Sequence, residues 1–143
     1  MLYLLPTNTI MAKRKVIPKT RNSGTMTESA FWSFIRSALR NKSRFWKPIQ
    51  ECKLNSRRKS NSVNKRIKFE YNCSECNGWF SDKETKVDHT IPAGSLNKSS
   101  DLPSFIDRLF CEVKGLTCMC EKCHNLKTIK DREQLKLDKL NNV

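Results

Sequence analysis

Two Cys-x-x-Cys pairs, short alternating stretches between turn residues, and a charge excess confined to the first half of the chain together predict an α+β fold. The expected architecture is a small mixed core stapled by a four-cysteine zinc site, with a basic, partly helical N-terminal extension. At 143 residues the chain has room for one modest domain plus an extension, and not for two full cores. Its 37% hydrophobic content against 29% charged residues is lean for a core of this size, so a metal staple would supply restraint that packing alone lacks.

The net charge of +14 is divided unevenly. Residues 1–72 hold 17 Lys and Arg against only Glu28, Glu51 and Glu70, whereas residues 73–143 hold 11 basic and 11 acidic side chains. A basic segment beside a neutral core is the footprint of a polyanion binder, nucleic acid being the commonest. A membrane surface fits less well, because the basic half has no long apolar stripe or lipidation signal and no run near the roughly 20 apolar residues of a spanning helix. Seven cysteines, an odd number with four in pairs and no secretory signal before them, indicate reduced, metal-bound thiolates and a cytoplasmic setting. The apolar opening, residues 1–6, is too short for a signal core, and Met11-Ala12-Lys13-Arg14-Lys15 reads like a second translation start.

In order along the chain, residues 11–24 have the composition of a disordered basic arm, and 1–24 are taken together as a flexible basic arm. Thr25-Met26-Thr27-Glu28 has the capping-box form and should open a helix, with Ala30, Phe31, Phe34, Ile35, Ala38 and Leu39 as its packed face. Pro48 disfavours helix at Lys47, and Trp46, beside Arg44 and Lys47, is placed either to pack or to stack on a base. Residues 53–68 contain no acid, so Arg57, Arg58, Lys59, Lys65 and Arg66 are read as phosphate contacts within a basic extension spanning 25–72. Ile67, Phe69 and Tyr71 alternate as a short strand, a second strand is expected near 85–89, and Pro92-Ala93-Gly94 ends it. A short helix is expected over 104–110. A final helix from about Cys120 toward Leu140 should pack through Leu126, Ile129 and Leu137, with 132–143 as its end and tail.

The four thiols of Cys73, Cys76, Cys120 and Cys123 have the spacing of a tetrahedral structural zinc site; Cys118 lacks the tight spacing, and it, Cys111 and Cys52 are read as buried small residues. A closed four-thiolate site has no open position for chemistry, which leaves Asp88, His89 and His124. A carboxylate and an imidazole can hold one hard divalent ion with open positions while a second imidazole acts as general base. Lys127, Thr128 and Asp131 share a helix face with His124, and that face should overlook Asp88 and His89.

Cys73-x-x-Cys76, Val87-Asp88-His89-x-Ile91-Pro92 and Leu116-x-x-x-Cys120-x-x-Cys123-His124-x-x-Lys127-Thr128, in that order, resemble the HNH endonuclease family, in the form of its small bacteriophage members. The resemblance covers residues 73–128. It implies a ββα-metal core within a nuclease domain at 73–131, with His89 as general base and Asp88 and His124 as ligands of a catalytic Mg2+, Mn2+ or other divalent ion. The implied substrate is DNA, cut to 5′-phosphate and 3′-hydroxyl ends, with Lys127 beside it. The implied setting is a phage-encoded protein in a bacterial cytoplasm, and a phage packaging partner is compatible with it. The sequence departs from the family pattern at Gly115, where the middle Asn that orients the catalytic histidine usually stands; Asn97 and Asn125 are candidate substitutes. A non-catalytic zinc module that binds nucleic acid is the alternative.

Overall fold

A computed structural model describes residues 15–141. The apolar opening, the second start at Met11 and most of the arm lie outside the described residues. Among the described residues no helix is long and apolar enough to cross a membrane.

Strands β1 (Lys19–Arg21) and β2 (Met26–Thr27) form an antiparallel hairpin, so the end of the expected arm is structured. Its turn uses left-handed Asn22, Ser23 and Gly24, and Thr25 Oγ1 closes it on the Asn22 carbonyl at 2.7 Å. The first helix, α1 (Glu28–Ser43), therefore starts later than the capping box at Thr25 predicts: Thr27 is the cap, its Oγ1 accepting from the Ala30 amide. Glu28, the acid of that box, is engaged elsewhere, by Arg21 at 2.8 Å and by the Trp32 indole at 2.9 Å.

The buried face of α1 also differs from the expected one. Trp32 is its most buried apolar residue, and with Phe31, Ile35 and Leu39 it packs on Ala93, Leu96, Phe105 and Leu109. Ala30, Phe34 and Ala38 face solvent. Burying the large indole stabilises more than burying alanines, and its N–H keeps a partner in Glu28.

Helix α2 (Lys47–Asn55) begins at Lys47 despite Pro48, because in the first turn of a helix the missing amide of proline leaves no bond unmade. Three strands follow in one antiparallel sheet: β3 (Arg57–Lys59), β4 (Phe69–Asn72) and β5 (Trp79–Phe80), with β4 central. This sheet crosses the boundary drawn at residue 72, joining the basic extension to the first cysteine pair.

Strand β6 (Thr85–His89) lies where the second strand is expected. It pairs antiparallel with β7 (Leu116–Cys120) in an unbroken register from Thr85↔Cys120 to His89↔Leu116. Between them the chain inserts α3 (Leu102–Leu109), whose Phe105 and Leu109 are buried under α1. Helix α4 (Glu121–Asn141) follows β7 directly and packs on both strands of the pair. Leu126, Ile129 and Leu137, expected as its packing residues, are 51, 52 and 53% exposed. The half-buried positions are Cys123, His124, Lys127, Thr128 and Asp131, so the helix turns this largely polar side to the strands.

Candidate metal centre and active site

The first cysteine pair sits on a tight turn between β4 and β5. The Asn77 amide donates to the Cys73 carbonyl at 2.8 Å and the Cys73 amide to the Gly78 carbonyl at 2.9 Å. Asn77 is left-handed at φ 57°, and a Cβ on Gly78 would lie 2.7 Å from the Phe80 ring, so only glycine lets the turn lie flat on that side chain. The Ser74 amide donates to the Cys118 carbonyl at 3.0 Å, and Ser74 and Thr117 hydroxyls meet at 2.6 Å, which ties the turn to β7. The second pair lies where β7 becomes α4, with the Cys120 sulfur accepting from the Cys123 amide.

As a result the sulfurs of Cys73, Cys76, Cys120 and Cys123 all lie within 4.8 Å of one another, with Cys76 and Cys120 4.0 Å apart. A tetrahedral zinc with bonds of about 2.3 Å needs sulfurs about 3.8 Å apart, so the donor set and spacing fit a structural zinc. The electrostatics ask for a cation too. Burial opposes ionisation of Cys73, but the amides of Cys76, Cys120 and Glu75 and the Cys76 thiol outweigh it and bring its thiol down to about 6. Cys123 is pushed up to about 12 by its contact with Cys120, by burial and by the neighbouring sulfurs. Without a dication the cluster holds thiolate charge unevenly; with one, all four sulfurs can ionise.

Cys118 and Cys52 lie elsewhere, buried on a separate cavity of about 540 Å3. Burial and the nearby Cys118 and Cys111 raise the Cys52 thiol to about 11, in keeping with unreactive packing residues.

The second group of residues lies at the end of β6. Asp88 Oδ1 accepts from the His89 amide at 2.8 Å, and Asp88 Oδ2 is 3.0 Å from the Lys127 ammonium, which also holds Asp131 at 2.7 Å. Burial alone would lower the Lys127 pKa, but Asp131 and Asp88 together raise it. The face of α4 bearing His124, Lys127 and Asp131 thus overlooks Asp88, as the helical spacing predicts. Asp88, His89 and His124 do not form a mutual three-ligand cluster; among the described residues the four cysteines alone do so.

His89 Nε2 lies 2.9 Å from the Leu109 carbonyl at the end of α3. A carbonyl only accepts, so Nε2 carries the proton, and in the neutral ring Nδ1 keeps its lone pair. This orienting group is a main-chain atom, and no side-chain motif could have announced it. Asn97 and Asn125, the candidate substitutes, are exposed; the Asn97 amide is bound to Asp101. Gly115 is explained by packing: a Cβ there would meet Cys111 Sγ at 2.9 Å and its Cβ at 3.1 Å. Its carbonyl accepts from the Thr90 amide at 2.9 Å, just past His89. A cavity of about 410 Å3 opens beside this region, lined in part by Thr90, Thr117, Cys123, Lys127, Lys130 and Asp131.

The basic residues divide into two groups. Arg58 is paired with Glu70 at 3.2 Å and lies 3.8 Å over the Trp79 ring, and Arg57 lies 4.2 Å over Phe69. Lys59, Lys65 and Arg66 are exposed, whereas Lys127 is held by its two carboxylates. Trp46 packs: its indole donates to the Cys111 carbonyl at 2.8 Å and its ring meets Phe110 edge-on. No protein-family model, curated protein or solved structure matches this chain, so the residues and their geometry carry the functional reading.

Proposed function

We propose that the chain is a metal-dependent DNA endonuclease of the HNH type, hydrolysing phosphodiester bonds in one or both strands to 5′-phosphate and 3′-hydroxyl ends. The observation that supports it most is His89, held through Nε2 by the Leu109 carbonyl with Nδ1 left basic, next to Asp88 on a strand pair backed by α4. In this reading Nδ1 takes the proton of the attacking water. Asp88 and His124 would hold a divalent ion, Mg2+, Mn2+ or another; when bound, it would supply charge neutralisation at the phosphoryl and leaving oxygens. Asp88 already attracts one cation, the Lys127 ammonium, and Asp131 retains Lys127 if Asp88 turns to a metal. The cysteine cluster, with zinc, keeps β7 and the start of α4 in place under this group.

The test is relaxation of supercoiled plasmid with Mg2+ or Mn2+, with and without chelator. His89→Ala should lose cleavage by at least about 100-fold, the usual contribution of a general base, while zinc content and DNA binding stay unchanged. Full nicking by that variant refutes the assignment. A second reading, a non-catalytic zinc module that binds nucleic acid, is favoured by the engagement of Asp88 with Lys127 and because, among the described residues, Asp88, His89 and His124 form no mutual three-ligand group. Intact plasmid under every metal, with DNA binding retained, selects it.

A further inference from the structure

The hairpin of β3 and β4 carries features that the cleavage chemistry does not use. Residues 57–68 contain Arg57, Arg58, Lys59, Lys65, Arg66 and Lys68 and no acid. Glu70, the carboxylate nearest to them in the chain, is held inside the hairpin by Arg58 and by the Ser60 hydroxyl at 3.1 Å. The ribbon has a fixed root, because β4 also pairs with β5 and so continues into the turn that bears Cys73 and Cys76.

The loop between the strands, residues 60–68, is braced from within. The Ser60 hydroxyl accepts from the Ser62 amide at 2.9 Å, the Ser62 hydroxyl from the Asn64 amide at 3.1 Å, and Asn64 Oδ1 from the Arg66 amide at 3.1 Å. The Ser60 amide closes its base on the Lys68 carbonyl at 3.0 Å. On this braced loop Val63 is 100% exposed. Its side chain is stiff at χ1, so little rotamer entropy is lost when a surface closes over it. A cavity of about 500 Å3 runs along the loop and β4 and is lined in part by Asn64, Arg66, Lys68, Tyr71, Asp82 and Lys83.

We propose that this hairpin is a groove-binding ribbon for duplex DNA, with Val63 pressed into a base step as an apolar wedge and Lys59, Lys65 and Arg66 on the flanking phosphates. The proposal rests on the DNA reading above and assigns it a second element, separate from the cutting site. β-Ribbon proteins place their strands in either groove, and those in the minor groove insert apolar side chains that unstack a base step and bend the duplex. The cations supply complementarity to the two phosphate backbones. A lone exposed valine buries too little apolar area to hold a membrane, which the same test examines.

The experiment uses the zinc-loaded full chain in a His89→Ala background, so that DNA stays intact, with a short duplex carrying 2-aminopurine. Unstacking by the wedge raises 2-aminopurine emission. Val63→Ser should weaken duplex binding about tenfold, the equilibrium effect of burying one valine. It should also abolish the emission rise and leave the salt dependence of binding unchanged. Lys65→Gln with Arg66→Gln should lower the slope of log affinity against log salt by about 2 and keep the emission rise at saturation. Because the Val63 side chain is fully exposed, zinc content and thermal midpoint should match the parent.

Parental affinity and emission in Val63→Ser overturn the wedge. Equal Val63 dependence on single-stranded RNA, or Val63-dependent binding to phosphatidylserine vesicles in place of duplex, also overturns it. Plasmid cleavage by the protein with His89 intact separates the two proposals. No cleavage with a Val63-dependent duplex signal ends the nuclease reading and keeps the ribbon. Cleavage with Val63-indifferent binding does the reverse, and no duplex binding at all overturns both.

Discussion

His89 donates from Nε2 to the Leu109 carbonyl at 2.9 Å, so the ring nitrogen that keeps its lone pair is determined by a main-chain group on another element. Gly115 works in the same local way. A methyl there would contact Cys111 at 2.9 and 3.1 Å, so Gly115→Ala should destabilise the protein by about 1–3 kcal/mol, the usual range for overpacking. Cys111→Ala in the same chain should recover part of the loss by removing the closer contact; urea midpoints measure both. For Cys73, burial favours the thiol, but donated amides overcome it, and the folded protein lowers its pKa from an ordinary 9.0 to about 6. A depressed acid pKa means that the thiolate's contribution is complete above the unfolded value and is lost as pH falls through the folded one. Protons compete with zinc for the four sulfurs, so bound zinc should be lost progressively as the pH is lowered, as metal analysis of the protein dialysed over a pH series would show.

Among the elements, α4 does two jobs along its length. Its first three turns place Cys123, His124, Lys127 and Asp131 against the β6–β7 pair, whereas every residue from 132 to 141 is exposed. Ending the chain after Arg132 should thus leave the thermal midpoint within about 2 °C of the parent and leave zinc content unchanged, since no buried residue is lost. A larger drop would mean that the outer leucines are covered in solution. The three-stranded sheet shows the opposite economy: β4 is short, yet it joins the basic β3 on one side to the β5 edge of the cysteine turn on the other. Its alternation was legible from Phe69 and Tyr71. The partnership of β3 was not, because Arg57, Arg58 and Lys59 have no apolar period; Arg58 is secured by Glu70 and Trp79 instead.

In the molecule as a whole, the N-terminal extension and the insertion between β6 and β7 form one apolar core, with Trp32 on α1 against Phe105 and Leu109 on α3. Leu109 also supplies the carbonyl that holds His89, so core packing and the candidate general base are linked through a single residue. Phe105→Ala should cost about 3–5 kcal/mol in urea unfolding, a large part of a small domain's stability. It should also lower cleavage under conditions where the variant is still folded, as His89 loses a fixed acceptor. The amino-acid sequence by itself determined what depends on near neighbours: the two cysteine spacings, the strand at 85–89, the helix after Cys120, and the partition of charge before Cys73. Only the tertiary structure decided the buried face of α1, the packing of Trp46 on Cys111 65 residues away, the Leu109 acceptor 20 residues from His89, and the reason for Gly115. The physical reason is that these depend on main-chain carbonyls and close packing between distant segments. Such partners leave no periodicity or side-chain motif in the chain that contributes them.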